Sequence, residues 1–210
     1  MGEAAPPPAF PGDAFTRVDE GDDALFYAPP RLVTHIDGQA IAALSAHYAA
    51  VLEPGSDVLD LMSSWVSHLP DDLQLGEVIG HGMNAQELEA NPRLTRHFVQ
   101  DLNRDTALPL ETDTLDAALC AVSVQYLTQP VAVFAEIARV LKPGAPAIVS
   151  YSNRCFPTKA VAIWRALDLR QQASLIGTYM DRAGLTEVAV DVLADGTRGD
   201  PLIAVTGRAP

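Results

Sequence analysis

The sequence predicts an α/β fold: a mostly parallel sheet with helices on both faces, closed by an antiparallel hairpin. Three observations carry this. Short apolar runs that suit buried strands alternate with segments of helical period along most of the chain. Prolines and glycines punctuate them, as at Pro54-Gly55 and Pro143-Gly144. The C-terminal stretch changes type: Val188, Val190 and Val192 alternate with Ala189, Asp191 and Leu193, turn residues follow at Asp195-Gly196 and Gly199-Asp200, and residues 201–206 are again apolar.

Taken in order, residues 1–13 carry Pro6, Pro7, Pro8 and Pro11 and neither a basic nor an apolar signal region, so they read as a flexible tail. Residues 14–37 are irregular but hold Phe15, Phe26, Tyr27, Leu32 and His35, too many large side chains for a tail. They are expected to form an N-terminal arm or lid packed on a domain of residues 38–210. Ile41, Leu44, Tyr48, Val51 and Leu52 mark one helix face. Residues 57–62 form a first buried strand. Ser63 and Ser64 read as N-caps of a short helix over residues 65–68, which Pro70 ends. Residues 77–82 form the second strand, and Asn84 caps a helix over 86–90. Residues 97–102 and 116–122 are the third and fourth strands.

The clearest helix follows, with Val133, Phe134, Ile137, Val140 and Leu141 on one face. Residues 145–151 are the fifth strand. A helical stretch runs from about residue 158 through Val161, Trp164 and Leu167. Asp168 and Gln171 have the spacing of a capping box that restarts it, and Gly184 suits its C-terminal end. The hairpin brings the strands to seven.

The chain has 210 residues, which suits one domain and its tail. Hydrophobic residues at 48% and charged residues at 20% are globular values. Against 14 Lys+Arg stand 27 Asp+Glu, a net charge of −13. That sign disfavours a nucleic-acid backbone or an anionic membrane surface and leaves a small molecule or a protein as partner. No apolar run approaches the roughly 18 residues of a membrane span. Cys120 and Cys155 make no disulfide framework and read as reduced, cytoplasmic thiols. His35, His47, His68, His81 and His97 show no metal-binding spacing, so no metal site is expected.

Open α/β sheets bind ligands beyond the carboxyl ends of their strands. That rule nominates residues 62–64, 82–84, 101–103, 121–126 and 152–155. Among these and the arm, Tyr27, His35, Tyr126 and Arg154 are the candidate catalytic residues. His35 with Asp37 could form a general base and its partner. Tyr126 could face the reacting group, and Arg154 could bind a substrate carboxylate. The plainer alternatives are that Phe26, Tyr27 and Tyr126 are packing and that Arg31 pairs with an acidic neighbour.

Leu108-Pro109-Leu110, Leu115-Asp116-Ala117-Ala118-Leu119-Cys120 and Leu141-Lys142-Pro143-Gly144-Ala145 form one pattern. It resembles the "LPF…FD…LKPGG" pattern of class I S-adenosylmethionine-dependent methyltransferases, over about residues 38–206. The resemblance implies a Rossmann-like three-layer sandwich with a mostly parallel seven-stranded sheet. It also implies S-adenosylmethionine as cofactor, S-adenosylhomocysteine as product and a small-molecule acceptor.

The first strand of that family usually ends in Asp/Glu-x-Gly-x-Gly-x-Gly. Here Asp60 remains, but Leu61-Met62-Ser63-Ser64-Trp65 holds no glycine. Ser63 and Ser64 are expected to offer N–H groups and hydroxyls at a helix N-terminus instead. The second strand places Gly82 where the family has an acid for the ribose hydroxyls. The carbonyl oxygen of Asn84 could substitute, with Met83 on the adenine face. Asp101, flanked by Leu102 and Asn103, matches the residue that accepts from the adenine amino group. Ala121, Val122 and Ser123 match the segment beside cofactor and acceptor. The missing glycines motivate an alternative, a non-catalytic methyltransferase-like binding or regulatory protein. A nicotinamide dehydrogenase fits less well, because no G-x-G-x-x-G follows the first strand.

Overall fold

The computed structural model describes residues 9–210. Strands β1 (Val58–Leu61), β2 (Val78–Gly82), β3 (Arg96–Val99), β4 (Ala117–Ala121), β5 (Pro146–Tyr151), β6 (Thr186–Ala194) and β7 (Leu202–Arg208) form one sheet. Its order is β3-β2-β1-β4-β5-β7-β6. The first five strands pair in parallel, and β7 runs antiparallel to both β5 and β6. β1, β2 and β5 are buried along their whole length, whereas β3 and β6 are exposed edges. This is why the inner strands read as unbroken apolar runs and β6 as an alternation.

The helices are α1 (Asp23–Tyr27), α2 (Gly38–Val51), α3 (Ala85–Glu89), α4 (Pro130–Val140), α5 (Ala162–Arg165) and α6 (Leu169–Arg182). Successive strand residues face opposite sides, so the sheet builds two cores. Val58, Val78, Leu119 and Ile148 meet Ala40, Leu44 and Tyr48 of α2. Leu59, Leu61, Cys120 and Val149 meet Phe134 and Ile137 of α4 and Ile176 and Met180 of α6. The Asp168–Gln171 capping box starts α6 as predicted, and Gly184 follows it at φ +88°. The resembling motif is tied together. Lys142 donates from its backbone to Leu115 (2.9 Å) and from Nζ to Asp116 Oδ1 (2.6 Å). The other oxygen of Asp116 takes the N–H of Asp57 at 2.9 Å.

Four expectations need correction. Residues 65–68 form no helix; the whole connection 62–77 is irregular. Side-chain bonds hold it in place of helical ones: Ser64 Oγ donates to Glu87 at 2.5 Å, Asn91 Nδ2 donates to Ser64 O and Ser67 Oγ at 2.9 Å each, and the Trp65 indole donates to Val33 O at 3.0 Å. Ser63 and Ser64 therefore cap nothing. The helical stretch from residue 158 shrinks to α5. The third strand stops at Val99, because residues 101–105 turn back, with Arg104 and Asp105 both donating to Asp101 O.

The tail is the fourth correction. Residues 1–8 of it lie outside the described residues, but Phe10 packs edge-on against Phe15 (5.2 Å) and Tyr179 (5.6 Å) beneath the Arg182 guanidinium (3.9 Å). Three aromatic and cationic neighbours give it burial that a free tail lacks. Among the described residues no helix is long and apolar enough to cross a membrane.

Candidate active site

A cavity of about 570 Å3 opens at the carboxyl ends of β1, β2 and β4 and beside the segments that follow β3 and β5. Of the nominated strand-end residues, all line it except Val124, Gln125, Ser152 and Asn153, and every candidate catalytic and cofactor-binding residue does. β1 and its loop bring Asp60, Met62, Ser63 and Ser64; β2 brings Gly82, Met83 and Asn84. The turn after β3 brings Asp101, Leu102 and Asn103, and the end of β4 brings Ala121, Val122, Ser123 and Tyr126. Arg154 follows β5, and Tyr27 and His35 come from the arm that roofs the cavity. Sequence reasoning passed over Trp65, His68, His81, Glu87, Phe156 and Asp200, which also line it. They lie on a loop, inside a strand or on a short helix, and no motif marked them.

At the end of β1, Asp60 is buried and accepts from Ser63 Oγ at 2.5 Å. Burial pushes its carboxyl up to about 6, against the pull of the Ser63 and Ser67 hydroxyls. Met62 then sits at φ +55°, the left-handed region that favours glycine. The loop thus keeps a glycine-like turn without the glycine. His81 of β2 fixes it. Its Nδ1 accepts from the Met62 N–H at 3.0 Å, and its Nε2 lies 3.0 Å from the Gln100 carbonyl. A backbone N–H can only donate and a carbonyl can only accept, so His81 is the neutral tautomer with its proton on Nε2. Burial holds its pKa down at about 4.

Gly82 has no room for a side chain. A Cβ there would lie 2.6 Å from the Ser63 carbonyl oxygen. Asn84, expected to substitute, is engaged at both ends: its Oδ1 caps α3 by accepting from Glu87 N (3.1 Å), and its Nδ2 donates to Tyr27 O and Ala28 O. The carboxylate of this corner is Glu87, which accepts from Ser64 Oγ and from Arg31 N at 2.6 Å. After β3, Asp101 Oδ1 accepts from Asn103 N at 2.9 Å. Asn103 braces the floor through Nδ2, which donates to Asp23 and to Tyr126 O.

At the end of β4, Val122 takes φ +52°. For a β-branched residue this stores roughly 1–3 kcal/mol of strain. Its N–H donates to Ser150 O (2.8 Å) and its carbonyl accepts from Gln125 (2.9 Å), which hold the turn. The Tyr126 hydroxyl accepts from Phe156 N at 2.8 Å, and the two rings stack at 5.9 Å. Burial raises the Tyr126 hydroxyl to about 12 and also raises that of Tyr27.

The roof is fastened by buried charge. Asp23 binds Arg17 (2.6 Å) and Lys159 (2.9 Å), and Lys159 is 1% exposed. The Arg31 guanidinium lies over Phe26 (4.7 Å) and Phe156 (5.4 Å). His35 meets Phe156 edge-on at 5.4 Å, and burial holds its pKa below the usual histidine value. The expected His35–Asp37 pair does not form. Asp37 caps α2 through Oδ1 and accepts from Asp200 N through Oδ2. Arg154, expected to hold a substrate carboxylate, pairs with Asp200 at 2.8 Å. The cavity wall carries Asp23, Asp37, Asp60, Glu87, Asp101 and Asp200 against only Arg31 and Arg154.

A family model described as "Methyltransferase domain" matches residues 67–149. The match runs from the loop after β1 into β5 and so covers the Leu115-Asp116 and Leu141-Lys142 elements. Solved structures share its fold. The chain matches the [4+2]-cyclase SpnF with TM-score 0.64 at 16% identity, over 90% of this chain and 91% of the other. A Haloferax volcanii putative methyltransferase, solved with the Trm112 activator, matches with TM-score 0.62 at 19% identity, over 81% and 90%. A possible histamine N-methyltransferase from Thermotoga maritima matches with TM-score 0.58 at 17% identity, over 82% and 91%. A search of curated proteins found no match.

S-adenosylmethionine is the cofactor that the sequence resemblance implies, and the cavity fits it in two respects. Its volume lies in the roughly 300–1,000 Å3 range of small-molecule sites. Its acid-rich wall suits a ligand that carries a sulfonium and an ammonium against one carboxylate. The family match begins at residue 67, so it leaves out β1 and Met62–Ser64, where the glycines are missing.

Proposed function

We propose that this protein is a methyltransferase that transfers the methyl group of S-adenosylmethionine to a small-molecule acceptor within this cavity, in the cytoplasm. The observation that carries the reading is the roofed, net acidic cavity at the ends of β1, β2 and β4. Asp60, Met62, Ser63 and Ser64, with Gly82, Met83 and Asn84 and with Asp101, Leu102 and Asn103, would hold the cofactor. Ala121, Val122 and Ser123 would lie beside it, and Tyr27, His35, Tyr126 and Arg154 would line the acceptor side. When bound, the cofactor supplies an electrophilic methyl carbon. The protein's part is to align the acceptor, exclude water beneath residues 14–37 acting as a lid, and remove a proton. A net charge of −13 and an acid-rich wall favour a small acceptor over a nucleic acid.

Calorimetric titration with S-adenosylmethionine and S-adenosylhomocysteine tests the cofactor assignment, with micromolar binding of both expected. Transfer of labelled methyl to a panel of thiols, phenols, amines and carboxylates tests the reaction. Tight cofactor binding without transfer to any of them overturns it.

A further inference from the structure

The sheet has two edges, and they are defended differently. β3 is four residues long and carries Arg96, which pairs with Glu77 at 2.6 Å. β6 is nine residues long and holds no lysine, arginine or proline. Among the described residues no hydrogen bond reaches the outer side of its backbone from Glu187 to Leu193. Short strands, cations and prolines keep an edge from pairing with another chain. β6 has instead a register shift near each end, one between Thr186 and Ala189, where Glu187 takes φ +51°, and one between Val192 and Ala194. Such bulges end pairing locally and leave residues 188–192 as one window between them.

The side chains of this window fall on two faces. Val188 packs against the core of α4 and α6, and Leu193 against that of α2. By alternation Val190 and Val192 share the face of Val188. They are nevertheless 51% and 65% exposed. A further strand would cover them and take up the free backbone groups together.

We propose that this protein forms a two-fold dimer in which β6 pairs antiparallel with β6 of a second copy, centred on Val190. In an antiparallel ladder each residue turns its N–H and C=O to the same side, and directly opposite residues do so alike. Two copies of one strand must therefore pair about a central residue. Centring on Asp191 sets that carboxylate against its own copy, and centring on Ala189 sets Asp191 against Glu187; both oppose like charges. Centring on Val188 or Val192 carries a valine past the end of the strand. Centring on Val190 sets Val188 against Val192 and Asp191 against Ala189, so six valines form one strip and no like charges meet directly. Asp191 stays diagonal to its copy and each chain carries −13, so salt tightens the dimer. Both β6 edges are consumed, so assembly stops at two. No residue of β6 lines the cavity, so the dimer is independent of what the cavity binds.

Sedimentation equilibrium of the full chain over a range of concentration and salt tests this. Wild type should approach twice the single-chain mass, associate more tightly in salt and go no further. Val190→Lys, at an exposed position, should keep its far-UV spectrum and weaken dimerisation by at least about ten-fold. Disulfide trapping reads the register, in a Cys155→Ser background that leaves buried Cys120 as the only native thiol. Opposed residues bring their Cα atoms about 4.5–5.5 Å apart, within disulfide reach. Val190→Cys should therefore link to its own copy, Val188→Cys should not, and Val188→Cys combined with Val192→Cys should. A chain that stays monomeric at every concentration and salt overturns the proposal. So does a dimer that Val190→Lys leaves unchanged, a dimer that links through Val188→Cys alone, or an assembly larger than two.

Discussion

The two halves of the sheet's mouth are built by different means. Around β4 and β5 the connections are regular: α4 and α6 cover one face, and the Leu115-Asp116 and Leu141-Lys142 elements lock through a backbone bond and an ion pair. Around β1 and β2 no helix follows the first strand, and the mouth depends on side chains. Asp60, His81, Glu87 and Asn91 each hold a stretch of loop backbone or a loop hydroxyl. A strand end can therefore be shaped without a glycine-rich turn, provided buried polar groups take over. The cost is sensitivity, because each such group is a single point of failure.

Substitutions along the β1–β2 half should show that sensitivity, and one at β4–β5 should not. The largest effect is expected for Gly82→Asp, which restores the family's acid. Its Cβ would meet the Ser63 carbonyl at 2.6 Å, a backbone atom with no rotamer to yield. A loss of about 3 kcal/mol or more in denaturant unfolding, with loss of cofactor binding, should follow. Wild-type stability in that variant would mean that the loop is free to move away.

His81→Phe should come next. It strands the Met62 N–H and the Gln100 carbonyl, at about 2–3 kcal/mol. The native pKa of His81, about 4, lies below that of an unfolded histidine, near 6.5. Between those values the unfolded chain binds the extra proton. The contribution of His81 is therefore intact above pH 6.5 and is lost as pH falls toward 4.

Asp60 has the opposite sign. Its native pKa, about 6, lies above that of an unfolded aspartate, near 3.9, so its charge costs stability above pH 6 and the cost fades toward pH 4. Asp60→Asn should raise stability at pH 7 by about 2 kcal/mol, should change little at pH 4 and should weaken cofactor binding. Thermal melts across pH 4–8 would separate it from His81. Met62→Gly should relieve the left-handed backbone and offset most of the lost side-chain contact, for a net change within about 1 kcal/mol. In the other half, Lys142→Ala removes a partly exposed pair and should cost under about 1 kcal/mol. A larger cost there would erase the contrast.

The β4–β5 half was also the readable one. Its strands and helices announce themselves by period, and Lys142 lies beside Asp116 because the motif's two pieces are neighbours in space. Carboxyl ends of strands gather around a sheet whatever the loops do, so the cavity-lining set followed from strand order. The β1–β2 connection was not readable. Its stabilising partners sit 23, 27 and 32 residues away, at Glu87, Asn91 and Val33, and no local pattern signals such pairings. Ser63 and Ser64 had the right chemistry for capping, but Asp60 and Glu87 had the prior claim on their hydroxyls. Asn84 was read correctly as the cap of α3, and that role engages the oxygen that was assigned to ribose. His68 carried no signal beyond being a histidine.

The fastening of the arm dictates an order of assembly. The arm precedes the sheet in the sequence, yet its buried anchor is Lys159, which donates to Asp19 and Gly21 across 140 and 138 residues of sequence. Contacts of that span are the slowest to close and gain nothing until both ends are in place. The roof can settle only after β5 has emerged and joined the sheet, so the nascent chain carries an open trough where the finished protein has a chamber. A ligand present during synthesis meets floor before ceiling.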